Sequence, residues 1–217
     1  MANEKMTLKK LAEKLGVSTS TVSKALSDSP EISELTKKKV KEVAEILNYQ
    51  PNILARQLKS GHTNTIGVIV PSIQNNFFVQ VLDGIEKVLK DAGYNLIIST
   101  SQESLEKEAS VINTLSNGIV DAFIISVCEE AQTTNNYSHL EAVKDSKPIV
   151  MFDRTVPKMK VDMVKVDDYE AVYETTKLLQ QSKKHIALVS TLGNLTVGKQ
   201  RKKGFIDAQD KLVNTIA

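Results

Sequence analysis

The sequence predicts a small all-α head followed by a larger α/β domain built on a parallel sheet. Three observations predict it. Up to about residue 60, apolar residues recur at helical spacing and no strand is apparent. From Thr65 onward, runs rich in Ile and Val alternate with helical segments. The charge also changes sign between the regions: residues 1–65 hold 11 Lys/Arg and 7 Asp/Glu, a net +4, whereas residues 66–217 are net −2. A basic head on a mildly acidic body is the pattern of a head that meets a polyanion.

Bulk properties narrow the function classes. With 41% hydrophobic residues in 217, the chain can build a sizeable core. No run approaches the ~18 apolar residues of a membrane span. The opening MANEKMTLKK lacks the apolar stretch of a signal peptide, so the protein is expected in the cytoplasm. Cys128 is the single cysteine and lies in the apolar run 122–128, which predicts a buried thiol. No G-x-G-x-x-G follows a strand and no G-x-x-x-x-G-K-[ST] occurs. His62, His139 and His185 are isolated, with no metal-ligand spacing. An enzyme, a metal and a cofactor are therefore not expected.

In the head, Leu8, Leu11, Ala12 and Leu15 fall at i, i+3, i+4 and i+7, and Gly16 ends that helix. Ser18 suits the N-cap of a second helix, with Val17 and Val22 placed as a hydrophobic staple. SDSP (27–30) makes a turn, and Ser33 caps a third helix with the stripe Val40, Val43, Ala44 and Leu47. Pro51 opens NILARQL, which is long enough for two helical turns. SGHTNT (60–65) reads as the linker. Strands are expected at 65–71, 95–99, 121–127, 148–153, 163–167 and 185–190. Helices are expected near 77–92, 103–116, 137–145, 169–182 and 199–213. Apolar strands joined by helical crossovers argue a parallel sheet covered on both faces.

The stretch GVSTSTVSKAL (16–26) carries the functional signal, since five of the six residues from Ser18 to Ser23 bear a hydroxyl. Ser and Thr are indifferent helix formers. At ~100° per residue, Val22, Ala25 and Leu26 share one side while Ser20 and Lys24 point away from it. Thr21 and Ser23 lie on the flanks, and Thr19 is at the N-terminal end. Two helices joined at Gly16 with a third completing a core describe a helix-turn-helix, whose second helix enters the DNA major groove. Short hydroxyls bond phosphate oxygens, and a lysine reaches guanine O6/N7. From these residues alone, a solvated surface helix with a Ser cap fits equally well.

The quoted residues decide between the two. MTLKKLAEKLGVSTSTVSKAL, NYQPNILARQLKSG and TIGVIVPSIQNNFF resemble the lactose-repressor (LacI/GalR-type) family of transcription regulators. The order A-x-x-x-G-V-S-x-x-T-V-S is its most diagnostic part. The resemblance implies that Thr19, Ser20 and Lys24 read bases, while Thr7, Leu8, Ser18, Thr21 and Ser23 touch the phosphate backbone. It implies that Asn52, Ala55 and Leu58 belong to a hinge helix entering the minor groove of a palindromic operator, with the leucine as a wedge. A hinge of about seven residues is too short to persist alone, so it is expected to fold only on DNA beside a partner hinge. The implied assembly is a homodimer on double-stranded DNA.

By the same resemblance the body is a type I periplasmic-binding-protein-like domain, with a sugar-like effector between two α/β subdomains. Asn75, Phe78, Asp153, Arg154 and Arg201 are the implied effector contacts. Asp and Asn take up hydroxyls, Arg donates in pairs, and Phe covers an apolar ring face. The expected divisions are a helix-turn-helix domain (1–50), hinge and linker (51–64), an N-terminal effector subdomain (65–162) and a partial C-terminal one (163–217). Compared with the family, the second subdomain stops early, which implies a truncated chain with a half-built cleft.

Overall fold

A computed structural model describes residues 6–49, 61–183 and 185–213, with 210–213 by backbone alone. The chain divides into two compact units, Met1–His62 and Thr63–Ala217.

In the first unit each of the three described helices begins on a hydroxyl. Helix α1 (Leu8–Leu15) starts at Thr7, whose Oγ1 accepts from Lys10 N at 3.3 Å. Helix α2 (Thr19–Leu26) starts at Ser18, whose Oγ accepts from Thr21 N at 3.0 Å. Helix α3 (Glu34–Ile46) starts at Ser33, which accepts from Thr36 N at 3.3 Å. Such caps satisfy amides that the helix cannot pair internally, each contributing ~1 kcal/mol. Gly16 closes α1 at φ 65°, a left-handed conformation open to glycine without a Cβ clash. Leu11, Ala12, Val22, Ala25, Val40 and Ala44 form the buried core, with Leu8, Leu15 and Val17 packed against it. The expected stripes of all three helices therefore meet in one place. The hinge segment with Asn52, Ala55 and Leu58 lies outside the described residues.

The second unit holds a five-stranded parallel sheet in the order β2-β1-β3-β4-β5. Its strands are β1 (Thr65–Val70), β2 (Asn95–Thr100), β3 (Ala122–Ile125), β4 (Ile149–Phe152) and β5 (Asp162–Val164). Alternation along β1 assigns its two faces. Val68 and Val70 pack with Phe78 and Leu82 of helix α4 (Asn76–Asp91). Ile69 packs with Ile112 and Leu115 of helix α5 (Leu105–Ser116) on the other face. Burial on both faces explains why the inner strands β1, β3 and β4 read as continuous apolar runs rather than alternating ones. Asp121 fastens the start of the unit, accepting from Thr63 N and Asn64 N, each at 2.8 Å.

The region between β3 and β4 differs from expectation. Two short helices, α6 (Glu129–Thr134) and α7 (Ser138–Glu141), replace the single helix expected over 137–145. Asn135, left-handed at φ 52°, ends α6 and separates them. Cys128 stands fully buried at the residue before α6, and burial pushes its thiol up to about 12, the state of an inert structural cysteine. The Glu108 carboxylate joins these pieces, accepting from Cys128 N and meeting His139 Nε2, each at 2.8 Å.

Two further expectations are corrected. β5, expected in the second subdomain, pairs with β4 as the edge of the one described sheet. The strand expected at 185–190 is not formed: the segment has no ladder partner among the described residues, and Val189 is 92% exposed. Ile/Val content favours a strand only where a neighbour supplies hydrogen bonds and a face to cover. Helices α8 (Asp168–Gln180) and α9 (Thr196–Val213) flank this segment and pack on each other.

Their close approach depends on Gly204, where a Cβ would stand 2.3 Å from the Tyr169 carbonyl oxygen. Gly204→Ala is expected to destabilise the second unit by ~1–3 kcal/mol through overpacking. Hydrogen exchange should show faster exchange in α8 and α9 than in α1–α3; uniform protection equal to the parent's would contradict this contact.

Candidate DNA interface and ligand cavity

The first unit presents helix α2 with its apolar side spent on the core. Val22 and Ala25 are fully buried, while Thr19 and Ser20 are exposed, and Thr21, Ser23 and Lys24 are half-buried. The hydroxyls at its N-terminus form a cluster. Ser18 Oγ lies 2.7 Å from Ser20 Oγ and 2.8 Å from Thr21 Oγ1 while it also caps the helix. These groups sit at the positive end of the helix dipole, where a phosphate is favoured. Thr7 is exposed at the start of α1, and Leu8 is half-buried against the core. The expected phosphate-side residues Thr7, Ser18, Thr21 and Ser23 thus include two N-caps, Thr7 and Ser18, one at each helix start. Lys24 is not solitary: its ammonium pairs with Glu31, a partner that the helical angles did not anticipate.

In the second unit a cavity of about 850 Å3 opens beyond the C-terminal ends of β4 and β5. Strand C-termini are where open parallel sheets take ligands. Its walls are largely apolar, including Phe77, Phe152, Val166 and Val172, and its charged groups are Asp153, Lys165, Asp168 and Arg201. Asp153 follows β4 at φ 57°, an uncommon conformation for a side-chain-bearing residue, and its N–H bonds the Val164 carbonyl at 3.0 Å. Strain of this kind clusters at ligand sites. Burial raises the Asp153 carboxyl above the usual range; Arg154 and Arg201 work against that, and Asp168 adds to it. Arg201 Nε donates to Asp168 Oδ1 at 2.7 Å.

Asp153 and Arg201, expected as effector contacts, are therefore brought together at one cavity. The other three lie elsewhere. Arg154 is 7% exposed and grips both Glu103 carboxylate oxygens, at 2.8 and 2.7 Å, with its guanidinium 5.9 Å from the Phe78 ring. Phe78 is 2% exposed and packs edge-on to Phe152, so its neighbour Phe77 forms the cavity wall instead. A helix turns adjacent residues ~100° apart, so the choice between two phenylalanines was one of phase. Asn75 caps α4, its Oδ1 accepting from Phe77 N at 3.0 Å. Asp168 was missed: in Asp167-Asp168 the first carboxylate caps α8 and the second meets Arg201. A paired acid just past a strand end was the available signal.

The fold and site define a class: a helix-turn-helix head joined to an α/β domain with a ligand cavity at its strand ends. Residues 7–52 match bacterial regulatory proteins of the lacI family. Residues 63–212 match the periplasmic binding proteins and sugar binding domain of the LacI family. The chain belongs to the LacI family. It is 33% identical over 190 residues to catabolite control protein A of Priestia megaterium, covering 85% of this chain and 55% of that one. A crystal structure of a LacI-family transcriptional regulator from Silicibacter pomeroyi superposes with TM-score 0.71 at 27% identity, covering 95% and 61%. The lac repressor dimer bound to operator and the anti-inducer ONPF superposes with TM-score 0.79 at 21% identity, covering 96% and 62%. The chain thus spans roughly three-fifths of the proteins it matches. These relatives are regulators rather than enzymes. Among the described residues, no helix is long and apolar enough to cross a membrane.

The raised Asp153 carboxyl carries a sign. The unfolded chain releases this proton first as pH rises, so Asp153 subtracts stability once pH passes the ordinary carboxylate range and costs nothing below it. Asp153→Asn keeps a residue tolerant of positive φ. It should unfold at higher denaturant than the parent at neutral pH, with the gap closing as pH falls. Parallel stability curves for the two proteins would contradict the burial argument.

Proposed function

We propose that the protein is a sequence-specific DNA-binding transcription regulator, a repressor, that holds a pseudo-palindromic operator as a homodimer in the cytoplasm. The observation that carries this reading is α2: its apolar side is used up in the core while Ser20 and Lys24 stand on the opposite side and Thr19 is exposed at its N-terminal end. Thr19, Ser20 and Lys24 contact base edges in the major groove, and Thr7, Leu8, Ser18, Thr21 and Ser23 set the helix on the phosphates. Asn52, Ala55 and Leu58 form the hinge in the minor groove, where Leu58 opens a base step and bends the duplex. Family membership supports each of these roles.

The ligand is a small polyhydroxylated, sugar-like effector in the cavity beyond β4 and β5. Asp153 and Arg201 contact it, joined by Asp168, and apolar walls cover its ring faces. Arg154, Phe78 and Asn75 act behind these residues, holding the cavity's frame. A ligand that bound one arrangement of the hinges better than another would change operator affinity by its differential binding energy.

Lys24→Ala is expected to relax preference at one base position per half-site, costing ~1–3 kcal/mol on the preferred sequence. In vitro selection from a randomised duplex library reads this directly, and an equal loss on every sequence would assign Lys24 to phosphate instead. Leu58→Ala should straighten the bound duplex in a FRET bending assay, and an unchanged bend would remove the wedge.

A further inference from the structure

The turn after α2 is built to hold an acid on the reading helix. Asp28 adopts φ 56°, and Ser29 N bonds the Lys24 carbonyl at 3.0 Å, so a left-handed C-terminal closure ends α2 and starts the turn that carries Glu31. Asp28 is itself fixed by Lys41, whose ammonium lies 2.5 Å from Oδ1 and, through that hydrogen bond, holds the carboxyl below its usual range. Ile32 packs against the head's core and anchors the far side of the turn. Between these fixed points stands Glu31, 65% exposed, with its carboxylate on the Lys24 ammonium. An acid at this place is costly for a surface that meets phosphates.

We propose that Glu31 is a specificity-determining positioning residue that converts Lys24 from a phosphate-seeking charge into a base-reading donor. This rests on the base-reading role of Lys24. A lysine ammonium has three donors. One goes to Glu31, which neutralises the charge and fixes the ammonium, and two remain for the O6 and N7 acceptors of a guanine. A phosphate of random-sequence DNA offers no such pattern and must compete with Glu31 for the same cation. The carboxylate also repels that phosphate directly. Glu31 therefore lowers non-specific affinity more than operator affinity.

The test uses the full chain with selection from a randomised duplex library, and anisotropy titrations on one fixed random-sequence duplex across salt concentrations. Four proteins are compared: the parent, Lys24→Ala, Glu31→Gln and Glu34→Gln, the last removing an exposed carboxylate that pairs instead with Lys37. Glu31→Gln is expected to bind the random duplex roughly 2- to 30-fold tighter as a dimer, the squared effect of losing one exposed ion pair. Its salt dependence should steepen, and it should lose discrimination at the base position that Lys24→Ala flattens. Glu34→Gln should keep that discrimination. If Lys24→Ala leaves every position unchanged, base reading by Lys24 falls and this inference with it. If Lys24→Ala flattens one position while Glu31→Gln matches the parent in both assays, the Glu31 inference alone is overturned. Equal changes in Glu31→Gln and Glu34→Gln also overturn it, because net charge would then be the cause.

Discussion

The head depends on the short turn between Leu15 and Thr19. Gly16 turns the chain through a left-handed conformation, and Ser18 immediately starts the next helix by accepting from Thr21 N. With only Val17 between those points, α2 leaves α1 at an angle that the backbone itself fixes. That angle puts Val22 and Ala25 into the core beside Leu11 and Ala12, and leaves Thr19 and Ser20 outside. A helix poor in strong helix formers is stable here because its cap and its apolar stripe offset the weak propensity of its hydroxyls. The same hydroxyls keep its outer surface narrow enough for a groove.

The body follows a different constraint, the burial of both sheet faces. With β1 covered by α4 on one side and α5 on the other, the sheet is parallel throughout, so the C-terminal ends of its strands share one rim. There the backbone strain at Asp153 and the pairing of Asp168 with Arg201 gather polar groups in an otherwise apolar cavity. Charged groups held this way are pre-organised, since they need little rearrangement to meet a polar partner. Arg154 contributes from behind: its grip on Glu103 ties the end of β4 to the segment that opens α5.

Much of this was legible in the sequence, for physical reasons that differ by element. Caps and stripes are local, so Ser18, Ser33, Gly16 and the apolar residues of α1–α3 predicted the head closely. The parallel sheet was legible because two-sided burial writes continuous Ile/Val runs. The segment 185–190 failed because its Ile and Val residues look like a strand while a strand requires a neighbour, which no local pattern encodes. Phe78 was misjudged against Phe77 because one helical step decides which ring is buried. Asp168 meets Arg201, 33 residues away, and Glu31 meets Lys24 across the turn that ends α2, so neither pairing follows from a single helix's spacing. Position in the chain told which groups were polar, not which of them would meet.

The central claim is that α2 reads DNA sequence rather than merely carrying charge. Base-resolution methylation protection of a selected duplex bound to the full chain tests it most directly. The account predicts two symmetric patches of protected guanine N7 in the major groove, with binding that weakens steeply as salt rises while the protected positions stay the same. Tight binding with no guanine N7 protected, or guanines protected without regard to sequence, would contradict it.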